Sequence, residues 1–283
     1  MQIIKEKEPL NAWLSTIKHE GGVIGLVPTM GALHDGHLSL IRMAASVCDW
    51  VVVSIFINPT QFDKPSDLQN YPQTLDEDIA LLRELNLNIV VFSPTASELY
   101  DDKIEAEHFE FDGVELEMEG KYRFGHFDGV GTVVKKLFEL IQPEKAFFGE
   151  KDFQQLQIIK KLIEKTGLPI EIIGCPVHRE SSGLARSSRN ERLNDEMRQK
   201  TSFIYQTLLK VKEKFGTESA KQISDWVENE FKIHPFLKLE YFEIADSNSL
   251  RTMENKQVDT PYRAFIAVYA GDVRLIDNIA LNY

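Results

Sequence analysis

The feature that most constrains this chain is an alternation running through its first 180 residues. Short β-branched or aromatic runs occur at GGVIGLVPTM (21–30), WVVVSIFIN (50–58), NIVVFSP (88–94), EKAFFGE (144–150) and IEIIGCPV (170–177). Helix-period segments separate them: HLSLIRMAASV (37–47), TLDEDIALLREL (74–85), VGTVVKKLFELI (130–141) and DFQQLQIIKKLIEKT (152–166). Strands that are apolar almost throughout need cover on both faces, and intervening helices supply it. The pattern predicts an α/β fold with a doubly wound parallel sheet. Ligands of such sheets lie beyond the carboxyl ends of the strands, and the polar clusters of this half fall there.

After about residue 180 the pattern changes. Helical stretches near 191–215 and 218–233 precede strand-like runs at 239–246, 262–271 and 273–281, with Gly271-Asp272 as a tight hairpin turn between the last two. Helices followed by an antiparallel meander predict a smaller α+β domain. At roughly 150 residues per domain, the 283 residues divide into a domain at 1–178 and a second at 179–283.

Charge narrows the partners. Asp and Glu number 44 against 32 Lys and Arg, a net charge of −12. Such a surface repels a phosphate backbone, so no nucleic-acid partner is expected, and any bound anion must meet a local cluster of donors. Cys48 and Cys175 lie in unrelated contexts outside any C-x-x-C pair, as expected of buried thiols in a reducing compartment. MQIIKEKEPL lacks the apolar centre of a signal peptide, and no apolar run reaches a membrane span of about 20 residues. The expected location is the cytoplasm, without a membrane partner.

The stretch PTMGALHDGHLSLI (28–41) places two histidines where a strand turns into a helix. The helix is expected to begin near Gly36 or His37. Its first N–H groups lack intrahelical partners and favour an anion, and Gly31-Ala32 lets a phosphate approach the backbone. His34 and His37, three apart, share a face and can donate to phosphate oxygens. Half of a zinc site or a pair of solvated cap residues would give the same pattern, although no further ligands stand at zinc spacing. Neither G-x-x-x-x-G-K-[ST] nor G-x-G-x-x-G occurs.

Four further clusters lie in loops or at strand ends. Asn58-Pro59-Thr60-Gln61-Phe62 offers two amides beside a proline turn, for a small polar substrate or for turn chemistry alone. Gly149-Glu150-Lys151-Asp152 opens a helix with Gln154 and Gln155 in its first turn; a lysine there is unfavourable unless an anion or a neighbouring carboxylate offsets it. Arg179 to Asn190 combines hydroxyls, guanidinium groups and a glycine, as in a mobile phosphate clamp or a solvated linker. Glu119 to Phe127 is a loop of mixed charge.

The His-x-Gly-His turn with a later Ser-Ser-Arg loop resembles the nucleotidyltransferase superfamily. PTMGALHDGHLSLI, FINPTQF, FGEKDFQQL, GLARSSRN and RLIDN together resemble the pantothenate synthetase (pantoate–β-alanine ligase) family, in that family's order. The resemblance implies a Rossmann-like domain, a smaller C-terminal domain, a cytoplasmic homodimer, and ATP with Mg²⁺ carried on its phosphates. It implies that pantoate is adenylated by ATP and the adenylate then captured by β-alanine. By motif, Met30, Gly31, Ala32, Leu33, His34, Asp35, Gly36 and His37 would line the ATP site. The proton donor falls on His37, with His34 on the phosphates. Gly149, Glu150, Lys151 and Asp152 would contact ATP, Asp152 at the ribose. Ser187, Ser188 and Arg189 would grip the outer phosphates, and His34, His37, Lys151 and Arg189 form the catalytic set. Gln61 and Gln155 would bind pantoate, Gln61 lying also near β-alanine, with Asn58 supporting the pocket and Arg123 flanking it.

Four positions depart from the family pattern: Ser182 in place of aspartate, Arg186 and His178 in place of apolar residues, and Asp128 where a basic residue is common. Arg186 is expected to add attraction for phosphate, and the backbone at His178 to meet adenine. Two rivals remain: an adenylate-forming enzyme for another acid, and a silent nucleotide-binding regulator.

Overall fold

The computed structural model describes residues 1–62, 68, 69, 71–101 and 103–281. The chain divides into two compact units, Met1–Glu150 with Gln154–Pro176, and Lys151–Phe153 with Val177–Tyr283. The change of sequence pattern puts a boundary at 178/179. It gives no sign that Lys151–Phe153 groups with the second unit.

The first unit is a six-stranded parallel sheet flanked by helices, an α/β Rossmann-like architecture. Its strands are β1 (Gln2–Ile4), β2 (Ile24–Thr29), β3 (Trp50–Ile55), β4 (Ile89–Phe92), β5 (Lys145–Gly149) and β6 (Glu171–Cys175). The order is β1-β4-β3-β2-β5-β6, and all five pairings are parallel. The helices are α1 (Lys7–His19), α2 (Asp35–Ala45), α3 (Leu75–Glu84), α4 (Ala96–Tyr100), α5 (Glu119–Tyr122), α6 (His126–Ile141) and α7 (Phe153–Thr166). Val51, Val52 and Val53 of β3 are wholly buried, so the sheet is covered on both faces, as the continuous apolar run predicts.

β1 and α1 lie outside the predicted alternation. β1 is three residues with a single buried side chain, too short for a periodic signal. α1 buries Leu10, Leu14 and Ile17, each burial contributing roughly 1.5–3 kcal/mol.

After β3 and β4 run outward on one side of β2, the chain returns to place β5 on the other side. That reversal puts the topological switch point between β2 and β5. The register sets Gly25 opposite Lys145 and Leu26 opposite Ala146. Extended forward, it brings the end of β2 level with the end of β5. The 30–37 turn and Gly149-Glu150 therefore leave adjacent strands at the same edge.

The second unit has an antiparallel sheet, β7 (Leu237–Asp246), β8 (Tyr262–Ala270) and β9 (Val273–Ala280), in that order. Helices α8 (Asp195–Lys200), α9 (Ser202–Lys214) and α10 (Ala220–Lys232) accompany it. Gly271, in the left-handed region at φ 63°, turns the β8–β9 hairpin. The single helix expected near 191–215 is divided: a 3-10 turn at Ser188–Arg192 leads into α8, and Thr201 separates α8 from α9. Ile204, Leu208, Val211, Ile223, Val227 and Phe231 form the apolar face packed on the sheet.

Candidate active site

In the first unit, α2 begins at Asp35 with His34 as its N-cap, one or two residues before the expected start. The chain reaches that start through two successive left-handed residues, Gly31 (φ 81°) and Ala32 (φ 49°). Alanine in this region costs about 1 kcal/mol, and a buried carboxylate offsets the cost. Asp78 on α3 accepts the Leu33 N–H at 2.7 Å, the Ala32 N–H at 3.0 Å and the Thr74 hydroxyl at 3.3 Å. Burial pushes the Asp78 carboxyl up from its ordinary pKa, while the Leu33 and Ala32 N–H groups and Thr74 pull it back. The turn thus holds a geometry in which the His34 and His37 rings stack, with centroids 4.0 Å apart and planes 20° apart.

A second buried network stands beside this turn. Asn58, 1% exposed, donates from Nδ2 to Gln61 Oε1 and to the Gly129 carbonyl, and its Oδ1 accepts from the Tyr100 hydroxyl at 2.6 Å and from Thr60. Both amide hydrogens are taken, so Asn58 is a brace for Gln61. Gln61 in turn directs Nε2 at the Met30 sulfur, 2.9 Å away. His126 joins the same turn. Its Nδ1 lies 2.8 Å from the Gln61 carbonyl and its Nε2 3.0 Å from Arg123 Nη1. A carbonyl only accepts and a guanidinium only donates, so the ring is neutral with its proton on Nδ1. Gly129 allows α6 to approach, because a Cβ there would stand 2.3 Å from the Thr60 carbonyl oxygen.

Gln154 and Gln155 separate by role. Gln154 is buried, donates to the Val114 and Glu117 carbonyls and accepts from the Glu119 N–H. It therefore braces the 114–119 segment. Gln155, a helical step away, is half-buried and has no hydrogen-bond partner among the described residues.

In the second unit, residues 178–186, at the start of the segment expected to be a phosphate clamp or a linker, form a small antiparallel hairpin. Arg186 N–H donates to the His178 carbonyl, Glu180 N–H to Leu184, and Gly183 (φ 89°) turns the chain. Arg179 binds Asp277 through both ends of its guanidinium at 2.6 and 2.9 Å, donates to the Gly183 carbonyl, and lies 3.7 Å above the Tyr205 ring. Burial opposes ionisation of Glu180, but hydrogen bonds from Arg198 and Asn190 outweigh it and hold the carboxyl below its ordinary range. Ser187 caps the next turn by accepting the Arg189 N–H at 3.3 Å.

The arginines of this segment differ sharply. Arg179 is held by Asp277, Arg198 by Glu180, and Arg192 by Asp272. Arg186 lies 2.6 Å from Glu191 and 3.6 Å from Glu180, so its charge is already neutralised within the loop. Arg189 is exposed and has no carboxylate partner among the described residues. The structure thus gives Arg186 a bracing environment that Arg189 lacks among the described residues. Lys151, in the 3-10 turn Glu150–Asp152, is largely buried and lies 3.3 Å from the Asp152 carboxylate. Lys151, Ser187, Arg189 and Asp277 line one cavity of this unit.

The remaining departures have local uses. Ser182 Oγ accepts the Leu184 N–H, a contact an aspartate would also make. Asp128 accepts the Phe109 N–H and lies 3.0 Å from His108. His178 is exposed. Burial raises the Cys48 and Cys175 thiols to about 11, so both stay protonated and inert near neutral pH. Asp78 and Tyr100 escape a sequence reading, and His126 and Asp277 fall in motifs without a visible role, because each acts through a partner 42 to 98 positions away.

The family model for pantoate-beta-alanine ligase matches residues 2–280. The chain belongs to that family. Its pantoate–β-alanine ligase relatives include the pantothenate synthetase of Christiangramia forsetii, 61% identical over the whole of both chains. That of Flavobacterium psychrophilum is 48% identical with the same coverage. A crystal structure of pantothenate synthetase from Thermus thermophilus, 35% identical, superposes with a TM-score of 0.90 across both full chains. The pantoate–β-alanine ligase of Francisella tularensis, solved with β,γ-ATP and β-alanine, is 35% identical with a TM-score of 0.79 over 99% and 98% of the two chains. Among the described residues no helix is long and apolar enough to cross a membrane.

Proposed function

We propose that this enzyme condenses (R)-pantoate with β-alanine, using ATP and passing through pantoyl adenylate. The pantoate carboxylate attacks the α-phosphorus and the bond to pyrophosphate breaks. The amine of β-alanine then attacks the acyl carbon. The C–N bond forms, AMP leaves with the electrons of the C–O bond, and the amine loses its proton. The observation that carries this reading is the pair of stacked imidazoles at the start of α2, beside the switch point of the sheet.

The first step brings two anionic groups together in line, so charge must be screened and the attacking oxygen aimed. In this reading the N–H groups opening α2 and His34 meet the phosphates, and His37 donates to charge developing at the reacting oxygens. Lys151, Ser187, Ser188 and Arg189 take the outer phosphates; Gly149, Glu150 and Asp152 complete the nucleotide site. Gln61 and Gln155 aim pantoate, with Asn58, His126 and Arg123 holding Gln61. The adenylate activates the carboxyl group, so no thiol nucleophile is needed. Among the described residues no three His, Cys, Asp or Glu side chains are grouped to hold a metal. The family resemblance implies Mg²⁺, carried on the ATP phosphates as part of the co-substrate. The family resemblance extends the reading to a cytoplasmic homodimer, and sedimentation equilibrium tests its two-chain mass.

The deciding experiment is isotope exchange between pyrophosphate and ATP. Exchange should require pantoate and proceed without β-alanine, while AMP release should require both. Exchange supported by another acid, but not by pantoate, would transfer the reading to that acid.

A further inference from the structure

The last two residues of the RLIDN motif in β9 hold the two segments that carry the cations of the second unit. Asp277 grips Arg179, which fixes the hairpin leading to Ser187, Ser188 and Arg189. Asn278, 2% exposed, donates from Nδ2 to the main-chain carbonyl of Lys151 at 2.9 Å. Its Oδ1 accepts from Arg263 Nη1. The Arg263 guanidinium lies 3.9 Å above the Phe153 ring, which also packs on Phe265 at 5.9 Å. These contacts act on both ends of Lys151–Phe153, the segment that groups with the second unit.

We propose that Asn278, supported by Arg263, is a positioning residue for adenylation: it clips the Lys151 backbone to β9 and so sets where the lysine ammonium stands. The inference rests on the reading of Lys151 as a ligand of the nucleotide phosphates. A buried amide bound to one carbonyl fixes the residue whose side chain carries the charge. Electrostatic stabilisation depends steeply on such placement. Lys151 thus keeps register with Arg189, because adjacent residues of one strand anchor both segments. The polar groups of the clip, buried within a small sheet, then have a use beyond packing.

The test compares Asn278→Asp, Lys151→Ala and the double variant in pantoate-dependent pyrophosphate exchange. Asn278→Asp keeps volume and an acceptor for Arg263, and sets an oxygen against the Lys151 carbonyl. Lys151→Ala should lower exchange on the order of a hundredfold and Asn278→Asp about tenfold. The double variant should be no slower than Lys151→Ala, within about twofold. Aminolysis of pre-formed pantoyl adenylate by β-alanine should be slowed far less than exchange in Asn278→Asp. Phe153→Leu, which removes the ring face under Arg263 while retaining apolar volume, should behave the same way and serves if the aspartate variant does not fold. Additive losses, or equal slowing of both half-reactions, would overturn the clip while leaving Lys151 in its role. Undiminished exchange in Lys151→Ala would remove the reading beneath it, and the clip with it.

Discussion

The two units arrange their positive charge by different means. In the first, charge comes from the backbone: N–H groups at a helix start, reached through a turn that one buried carboxylate, Asp78 on a neighbouring helix, holds, with the two imidazoles stacked on each other. In the second, charge comes from side chains, and most of it is internally cancelled. Arg179, Arg186, Arg192 and Arg198 are each paired with a carboxylate, and Arg189 has no carboxylate partner among the described residues. A helix terminus is set by main-chain geometry, so one brace suffices. Long cationic side chains are not, so the second unit holds four of its arginines with carboxylates. An arginine near an active site is thus informative only after its partners are counted.

Five substitutions sharpen or break this contrast, in descending order of effect. His37→Ala should lower pantoate-dependent exchange by on the order of a hundredfold to a thousandfold, while pantoate affinity measured by calorimetry changes only a few-fold. Near-normal exchange would remove His37 from the chemistry. Arg189→Ala should lower kcat/KM for ATP by roughly ten- to a hundredfold without shifting the thermal midpoint, since its guanidinium has no carboxylate partner among the described residues. A large loss of stability would place it with the bracing arginines. Asp78→Asn should face an amide group to one of the Ala32 and Leu33 N–H groups. A stability loss of about 1–3 kcal/mol in denaturant titrations is expected, with reduced exchange; an unperturbed enzyme would show that the turn holds itself.

Glu180→Gln reports on the second unit through pH. The folded pKa of Glu180 lies below its ordinary value. Its stabilisation is therefore complete above the unfolded carboxylate value of about 4.3 and is lost as pH falls through the lower folded value. The difference in denaturant midpoint between wild type and variant should be greatest near neutral pH and should close below pH ~4; a constant difference would mean that the carboxylate charge is not what matters. Arg186→Met is expected to change the ATP KM by less than about twofold, because Glu191 and Glu180 already neutralise Arg186, and to lower the thermal midpoint. A several-fold rise in KM would restore Arg186 to the nucleotide site.

Much of the fold was legible because its signals are local. Apolar runs such as WVVVSI and the period of α6 and α7 depend on residues within one element. β1 escaped because three residues carry no period, and the break at Thr201 because both flanking helices continue similar patterns. Of the candidate site, the histidine turn and the amide pair were legible as spaced motifs. Their division of labour was not. The family resemblance already made Asn58 a support, but how it braces Gln61, and that Gln154 is a brace too, follow from contacts with Tyr100, Gly129, Val114 and Glu117.

By itself the sequence determined the alternation, the switch in style near residue 180, the histidine turn and the family, since each is written in neighbouring residues or in motif order. Tertiary structure alone decided which arginines are paired with carboxylates, why Ala32 can occupy a left-handed conformation, and that Lys151 groups with β9. Those outcomes depend on partners such as Asp78, Asp277 and Asn278, which chain connectivity leaves distant and only packing brings within hydrogen-bonding range.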